Sequence, residues 1–179
     1  NQINLSVSPF TAYGDFFSVS SGNFTGGADT VTVNLAMTND PSIRLVGDGD
    51  VFTGGGNFTG GNDTIVLNSN RPGTGNFSLY GDVVAINTMG TFKGGNDTLT
   101  GSNGRDNLFG DGSDIVAGNY IGGHDMLDGR GGNDFLDGGK GVDTAVFSSL
   151  GQAVFVNLAG IAGSAVDQAN WVEAIGQGF

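Results

Sequence analysis

The sequence predicts an all-β protein in which the chain coils into stacked parallel strands. Three observations predict this fold: a glycine-rich motif recurs along the chain, a short β-branched or aromatic run follows nearly every copy, and no stretch before residue 150 keeps a helical period. Glycine supplies 35 of the 179 residues, roughly a fifth against the usual ~7%. With three prolines and no three-residue period, these glycines mark turns rather than a collagen helix.

Two ladders of motifs establish the repeat. The first reads GNFTGGADTVTVNL at 22–35, GNFTGGNDTIVLN at 56–68, GTFKGGNDTLTG at 90–101 and, in a degenerate form, GNYIGGHDMLDG at 118–129. The second reads YGD at 13–15, VGD at 46–48, YGD at 80–82 and FGD at 109–111. Both ladders step by about 34 residues and then by about 28, so they belong to one repeating unit.

After residue 93 a nine-residue unit becomes visible. Aligned on aspartate, its copies are GSNGRDNLF (101–109), YIGGHDMLD (120–128), GRGGNDFLD (129–137) and GGKGVDTAV (138–146). This pattern resembles the repeats-in-toxin (RTX) or hemolysin-type calcium-binding family, whose motif GGxGxDxUx, with U a large aliphatic residue, forms a parallel β-helix. The resemblance is strong over 94–148 and looser over 13–93, where the Gly-Gly-x-Asp-Thr-U core recurs with longer loops.

The repeat divides the chain into four parts. Residues 1–12 are predicted to be an N-terminal cap or lead-in strand, 13–93 long-loop repeats, 94–149 a nonapeptide β-roll, and 150–179, which lose the motif and most of the charge, a C-terminal capping segment. The predicted strands are Phe16 to Ser20, Thr30 to Leu35, Val51 to Thr53, Thr64 to Asn68, Val83 to Asn87 and Ile115 to Ala117. The predicted interior of the roll holds Val31, Ile65, Leu67, Leu99, Leu108, Leu127 and Leu136.

The charge of the chain points to cations. Acidic residues outnumber basic ones 18 to 6, giving a net charge of −12, and 17 of the 18 are aspartate. Aspartate is typical of tight loops and metal shells, whereas nucleic-acid binding needs the opposite sign of charge. The absence of cysteine excludes disulfides and thiolate metal sites, and no apolar run approaches the ~18 residues of a membrane span. Residues 1–20 lack the features of a signal peptide.

The spacing of the aspartates predicts two carboxylate columns. With about eighteen residues per turn, one edge of the roll is expected to stack Asp106, Asp125 and Asp143, and the other Asp97, Asp114 and Asp134, at the ~4.8 Å spacing of neighbouring strands. Two unit charges ~5 Å apart repel by about 0.8 kcal/mol in water and by about 3 kcal/mol at an effective dielectric of 20. Such columns are therefore expected to need counter-ions.

Calcium is the predicted counter-ion, because it takes about 6–8 oxygen ligands and stacked loops offer carboxylates and carbonyls. Magnesium is less suited because it holds its waters, and zinc lacks its usual ligands here. Roughly five to eight ions are expected from the number of loops. The predicted ligand loops contain Asp15, Asp29, Asp48, Asp50, Asp63, Asp82, Asp97, Asp106, Asp111, Asp114, Asp125, Asp134 and Asp143, with the turn glycines Gly26, Gly27, Gly60, Gly61, Gly94, Gly95, Gly104, Gly122, Gly123, Gly131, Gly132, Gly139 and Gly141.

The sequence predicts no enzyme. His124, the single histidine, stands at a loop position where other copies carry alanine or asparagine, and no nucleophile motif accompanies it. The resemblance implies a secreted or cell-surface bacterial protein, exported unfolded through a type I channel and folded by external calcium into a structural or adhesive module. Other expected partners are further copies of the chain or a glycan. Two alternatives stay open: a non-catalytic tail of an exported enzyme, and an ice- or glycan-binding roll with outward threonines.

Overall fold

The computed structural model describes residues 2–5, 10–35, 42–69, 77–147, 155–156, 171–172 and 174–175. The first ten strands are β1 (Gln2–Leu5), β2 (Phe10–Tyr13), β3 (Phe16–Val19), β4 (Phe24–Thr25), β5 (Thr30–Leu35), β6 (Ile43–Val46), β7 (Gly49–Gly54), β8 (Phe58–Thr59), β9 (Thr64–Asn68) and β10 (Phe77–Tyr80). The remaining ten are β11 (Val83–Lys93), β12 (Thr98–Thr100), β13 (Asp106–Phe109), β14 (Asp114–Ile121), β15 (Met126–Asp128), β16 (Phe135–Asp137), β17 (Thr144–Ala145), β18 (Phe155–Val156), β19 (Trp171–Val172) and β20 (Ala174–Ile175). Every regular element in these ranges is a strand, which confirms the all-β prediction.

Three sheets grow together as the chain winds. Sheet A has the order β1-β5-β9-β12-β15-β17, and sheet B the order β2-β6-β10-β13-β16 with β19 at its end. In sheet C, β3 pairs with β7 and β4 with β8, while β11 pairs with β7, β8 and β14. All these pairs are parallel except β16 with β19, and a separate pair, β18 with β20, is antiparallel. The predicted coil of parallel strands is thus confirmed.

The length of a turn changes along the coil. Thr64 pairs with Thr30 and with Thr98, each 34 residues away in sequence. Met126 pairs with Thr98, 28 residues before it, and with Thr144, 18 residues after it. The eighteen-residue turn predicted for the nonapeptides is therefore correct for the last turn only.

Sheets A and B enclose an aliphatic core, and we call this pair of sheets the roll. Leu45, Leu67, Leu99 and Leu108 have no exposed surface, because side chains on alternate positions of both sheets point inward. The core contains Val31, Val33, Ile43, Leu45, Ile65, Leu67, Phe77, Leu79, Leu99, Leu108, Leu127 and Leu136. All seven residues predicted for the interior belong to it, so that prediction is confirmed.

Sheet C forms a second body, which we call the side lobe, from 16–25, 49–59, 83–93 and 114–121. Its separate core consists of Phe52, Phe58, Val83, Ile86 and Phe92. The ring centroids of Phe58 lie 5.1 Å from those of Phe24 and 5.3 Å from those of Phe92, so the aromatic side chains stack from turn to turn. Each long turn therefore contains an excursion with its own hydrophobic core, which the sequence analysis did not predict.

The last turn lacks this excursion. The loop 138–143 occupies the place that 110–125 occupies one turn earlier, because the carbonyl of Gly138 lies against Gly110 and the carbonyl of Gly123 lies against Gly141. The backbone N–H of Asp125 also donates to Asp143 Oδ1 at 3.0 Å. Six residues in the last turn thus connect the same two positions that sixteen residues connect one turn earlier. The side lobe therefore ends at β14.

The ends of the chain are described only in part. β1 and β2 form the first strands of sheets A and B, as a lead-in strand would. Of the predicted capping segment 150–179, the structure describes 155–156, 171–172 and 174–175, and the rest of that prediction lies outside the described residues. Within the described ranges there is no helix long and apolar enough to cross a membrane.

Candidate metal centre

The base of the side lobe is closed in every long turn by the same hydrogen bond. The aspartate of the Gly-Asp motif accepts a hydrogen bond from the second glycine of the Gly-Gly-x-Asp motif that follows it. The bonds are Gly27 N to Asp15 Oδ2 at 2.7 Å, Gly61 N to Asp48 Oδ2 at 3.0 Å, Gly95 N to Asp82 Oδ1 at 2.9 Å and Gly123 N to Asp111 Oδ1 at 3.0 Å. We call this closure the neck, and each of its four turns a rung.

The aspartates of the Gly-Gly-x-Asp motif form a continuous column along the neck. Each backbone N–H donates to the carboxylate one turn further on. The bonds are Asp29 N to Asp63 Oδ1 at 2.7 Å, Asp63 N to Asp97 Oδ1 at 2.7 Å, Asp97 N to Asp125 Oδ1 at 2.8 Å and Asp125 N to Asp143 Oδ1 at 3.0 Å. One oxygen of each accepting carboxylate, from Asp63 to Asp143, is therefore used to hold the turns in register.

The second oxygens are buried and have no hydrogen-bond donor. Among the described residues, six such carboxylate oxygens occur, and all belong to the neck: Asp29 Oδ2, Asp48 Oδ1, Asp63 Oδ2, Asp82 Oδ2, Asp97 Oδ2 and Asp125 Oδ2. The side chains of Asp48 and Asp82 are 0% exposed and that of Asp97 is 1% exposed. An unpaired buried carboxylate is costly, so these oxygens call for a positive partner.

Glycine is required at the neck because the facing carboxylate fills the space of a side chain. A Cβ on Gly47 would overlap Asp63 Oδ2 and the carbonyl of Gly81, and a Cβ on Gly60 would overlap Asp82 Oδ1. These glycines do not have positive φ. Their role is close approach between stacked loops, rather than access to a left-handed backbone conformation.

The carboxyl groups of the neck are far from their ordinary acidity. Burial, and second to it the facing charge of Asp63, raise the pKa of Asp48 to about 8. Burial also raises the pKa of Asp97 to about 9 and that of Asp125 to about 8. The pKa of Asp82 is raised well above its usual value, first by burial and then by Asp97. In the absence of a cation, protons occupy these sites near neutral pH.

The donor set of the neck consists of carboxylates and backbone carbonyls. Nowhere in the described ranges do three or more His, Cys, Asp or Glu side chains converge on one point. Each inner rung has two unpartnered carboxylate oxygens, one from each motif, as with Asp48 and Asp63. A calcium shell of about 6–8 oxygens would therefore need carbonyl and water oxygens besides. This oxygen-only set fits a hard cation and is unlike a zinc site.

The carboxylate columns differ from the predicted ones. Asp125 and Asp143 stack as predicted, but Asp97 joins their column and Asp106 does not. Asp106 instead stacks with Asp134 at the opposite edge of the roll, where its N–H donates to Asp134 Oδ1 at 3.0 Å. The predicted columns Asp106, Asp125, Asp143 and Asp97, Asp114, Asp134 were wrong, because the excursions lengthen all but the last turn.

The opposite edge, formed by 101–106 and 129–134, satisfies its own carboxylates. Asp106 Oδ2 accepts the N–H of Ser102 at 2.7 Å, and the Ser102 hydroxyl lies 3.1–3.2 Å from both Asp106 oxygens. Burial raises the pKa of Asp106 only to about 6, because the Ser102 hydrogen bonds oppose the shift. The predicted loop glycines Gly104, Gly131 and Gly132 lie at this edge, away from the unpartnered oxygens.

Two predicted ligands, Asp50 and Asp114, lie outside both the neck and the opposite edge. Asp50 forms an ion pair with Arg44, with 3.2 Å between Oδ1 and Nη1. Asp114 is exposed at the start of β14. His124 is exposed, as predicted, and its Nδ1 accepts the N–H of Val142 at 2.9 Å.

Three features of the site escaped sequence reasoning. They are the glycine of each Gly-Asp motif, the Ser102 hydroxyl that serves Asp106, and Tyr120, whose hydroxyl donates to Asp111 Oδ2 at 2.6 Å. The glycine is present in all four Gly-Asp copies, and an aromatic residue recurs at Phe24, Phe58, Phe92 and Tyr120. These two repeated positions could therefore have been recognised from the sequence. Nothing in the sequence indicated that Ser102 reaches a carboxylate four residues away.

Comparisons of this chain with protein families, with curated proteins and with solved structures found no match.

Proposed function

We propose that this protein is a calcium-binding module whose folding depends on calcium, and that it serves as a structural or adhesive part of a secreted or cell-surface bacterial protein. The observation that carries the proposal is the line of six buried carboxylate oxygens without donors at the neck. The ions would be held by Asp48 with Asp63 and by Asp82 with Asp97, together with oxygens from the stacked loops.

A divalent cation would supply the missing positive charge at each inner rung. Because the neck joins both ends of every excursion to the roll, an ion there would hold the side lobe against sheets A and B. Calcium suits the site better than magnesium, since it accepts irregular shells rich in carbonyl oxygens. Binding free energy at a site that exists only in the folded chain is folding free energy.

The extracellular setting follows from the same coupling and from the resemblance to the RTX repeats. Where calcium is scarce, the neck carboxyls would have to take up protons on folding or stay buried and unpaired, which disfavours the folded coil near neutral pH, and the chain would stay open for export. Where calcium is millimolar, the neck would be neutralised and the coil would close. The charge of −12 would further loosen the calcium-free chain.

A calcium titration followed by circular dichroism and thermal melting tests the proposal. The protein is stripped with EGTA, and calcium or magnesium is then added to the full chain. We expect the β signal and the Tm to rise steeply with calcium and weakly with magnesium. A Tm that is the same in excess EGTA and in millimolar calcium would contradict the proposal.

A matched pair of variants assigns the response to the neck. Asp97→Asn removes a buried carboxylate that has an unpartnered oxygen, whereas Asp114→Asn removes the same charge from an exposed position. We expect the calcium-induced rise in Tm to shrink in the first variant and to stay unchanged in the second. Equal responses would point to diffuse screening of charge rather than to bound ions.

A second candidate function is recognition of ice or a glycan by sheet A. The register aligns Thr30, Thr64 and Thr98 in one row and Thr32, Val66 and Thr100 in the next, on the face opposite the buried Val31 and Ile65. The first row ends at Met126, which pairs with Thr98. Ice-shaping assays and glycan arrays on the calcium-loaded protein test this hypothesis. Thr64→Leu, which interrupts the threonine row, is expected to abolish the activity.

The non-catalytic tail of an exported enzyme is the remaining alternative. It shares the calcium chemistry of the neck and differs only in what the module is attached to. Sequencing the flanking gene separates the two: a catalytic sequence upstream supports the tail, and further repeats support a structural or adhesive protein.

A further inference from the structure

We infer that Tyr120 ends the column of cation-binding rungs: at Asp111, its hydroxyl and the backbone N–H of Lys140 take the place that a divalent cation takes at Asp48 and Asp82. This inference rests on the proposed function and specifies which rungs bind the ion. It makes Tyr120 a residue that sets the number of ions.

The carboxylate of Asp111 differs from its counterparts in having all its partners within the protein. Its Oδ1 accepts the N–H of Gly123 at 3.0 Å, as every rung does. Its Oδ2 accepts the hydroxyl of Tyr120 at 2.6 Å and the N–H of Lys140 at 3.0 Å. By contrast, Asp48 Oδ1 and Asp82 Oδ2 have no donor. The rung at Asp111 therefore keeps a single unpartnered carboxylate oxygen, Asp125 Oδ2.

Tyr120 occupies the repeat position that phenylalanine occupies in the other three turns. Phe92 pairs with Tyr120 in register, Phe58 with Phe92, and Phe24 with Phe58. The rings follow one another along the lobe, with 5.2 Å between the centroids of Phe92 and Tyr120. The hydroxyl is thus the one chemical difference at this position, and it occurs in the turn where the lobe ends.

The short last loop completes the closure. Because 138–143 lacks an excursion, Lys140 lies next to the rung, and its N–H also donates to the Tyr120 hydroxyl oxygen at 3.2 Å. Its Nζ lies 4.9 Å from the centroid of the Tyr120 ring, so Lys140 also makes a cation–π contact with the tyrosine. The same loop carries Gly139 against Asp111 Oδ2, where a further Gly-Asp motif would have supplied a carboxylate.

The acidity of the two kinds of rung agrees with this contrast. Burial raises the pKa of Asp111 only to about 6, because the donors from Tyr120, Gly123 and Lys140 stabilise its charged form. Burial and the charge of Asp63 raise the pKa of Asp48 to about 8. Both oxygens of Asp111 have donors within the protein, whereas Asp48 Oδ1 has none.

Counting the bound ions in matched variants tests the inference. Calcium per chain is measured by elemental analysis after equilibrium dialysis and by isothermal titration, for the wild type, Asp82→Asn, Asp111→Asn and Tyr120→Phe. The two aspartates occupy the same motif position one turn apart, and Tyr120→Phe restores the residue of the other turns. We expect Asp82→Asn to lose at least one ion, Asp111→Asn to bind as many as the wild type, and Tyr120→Phe to gain one.

The outcomes separate this inference from the proposed function. A wild type that binds no calcium overturns the proposed function, and the inference falls with it. A wild type that binds calcium, combined with an Asp111→Asn variant that loses an ion, overturns the inference alone. An unchanged ion count in a folded Tyr120→Phe variant likewise overturns it, because the hydroxyl would then not be holding the cation's place.

Discussion

The neck and the opposite edge of the roll are built from the same kind of loop, yet they treat their aspartates differently. Both present glycine-rich turns ending in aspartate, and in both a backbone N–H donates to the carboxylate of the next turn. At the opposite edge, Ser102 supplies further donors to Asp106. At the inner rungs of the neck no side chain does so. A repeated aspartate therefore keeps an unpartnered oxygen only where no neighbouring group donates to it, and these are the aspartates to which we assign the proposed cations.

The largest expected effect is on the pH dependence of stability. The folded, calcium-free chain binds protons at neck carboxyls with raised pKa values, about 8 for Asp48 and about 9 for Asp97, whereas the unfolded chain releases them near pH 4. Since the native state binds more protons in this window, its stability without calcium falls as the pH rises from about 4 to about 9. Calcium replaces the protons, so the difference in Tm between calcium and EGTA grows with pH.

The two regions can be separated within this pH series. Asp106 at the opposite edge has a pKa of about 6 and Asp134 one of about 7, so above pH 7 the remaining change comes mainly from the neck. Melts in calcium and in EGTA at pH 5, 7 and 9 measure it. A calcium-free Tm that rises between pH 7 and 9 would show that the neck carboxyls are not buried as described.

The next largest expected effect is a loss of stability when a side chain is introduced at the neck. In Gly47→Ala the new methyl would overlap Asp63 Oδ2 and the backbone carbonyl of Gly81, which cannot rotate away, whereas in Gly55→Ala it would meet nothing within 4 Å. We expect the first variant to lose about 3 kcal/mol, the upper part of the range for overpacking, and the second to stay close to the wild type. Urea unfolding in calcium measures both, and equal midpoints would contradict the close approach of the loops.

Removing one neck carboxylate is expected to remove the stabilisation contributed by one calcium ion. Asp82 supplies one of the two carboxylates of its rung, so Asp82→Asn is expected to abolish that calcium site. At a calcium concentration 100 times the Kd, the free energy of unfolding would then fall by about 2.7 kcal/mol. The same variant without calcium should not be destabilised by a comparable amount, because it removes a carboxyl group whose ionised form is disfavoured by burial. Asp106→Asn provides the comparison at the opposite edge, and its effect should be the same with and without calcium.

Removing the serine that serves the opposite edge has the smallest effect. Ser102→Ala deletes the hydroxyl that bonds to Asp106 and accepts the N–H of Gly104 at 3.0 Å. The expected cost is about 1.5 kcal/mol, typical of a hydrogen bond to a charged group. Without the hydroxyl, Asp106 loses a side-chain donor and resembles a neck aspartate. We therefore expect the Tm of this variant to depend more strongly on calcium than that of the wild type. Thermal melts in calcium and in EGTA measure both quantities.

Much of this architecture could be predicted from the sequence, because the pattern itself encodes it. Alternation such as Val31, Val33 and Leu35 predicts strands, and the repeat predicts their parallel stacking. The aliphatic interior followed from the residue two positions after each motif aspartate, as at Leu99 and Leu127. These features depend on local chemistry and on the period alone.

The turn length could not be predicted in the same way. The nonapeptide spacing predicts a coil in which two units complete a turn, and it therefore placed the units 101–109 and 120–128 on the same edge, one turn apart. The structure assigns them to opposite edges, because the excursion 110–125 lies between their strands. Which aspartates stack depends on the length of each excursion. The excursions form the side lobe, whose core of Phe58 and its neighbours is assembled from residues of several repeats.

The replacement of sixteen residues by six at the last turn has a practical consequence. Since Gly138, Gly141 and Asp143 hold the same stacking contacts as Gly110, Gly123 and Asp125, the register is the same with a long and with a short segment between them, and we expect it to tolerate other segments. The scaffold thus offers a grafting point at which foreign peptides of different length can be displayed on an otherwise unaltered repeat.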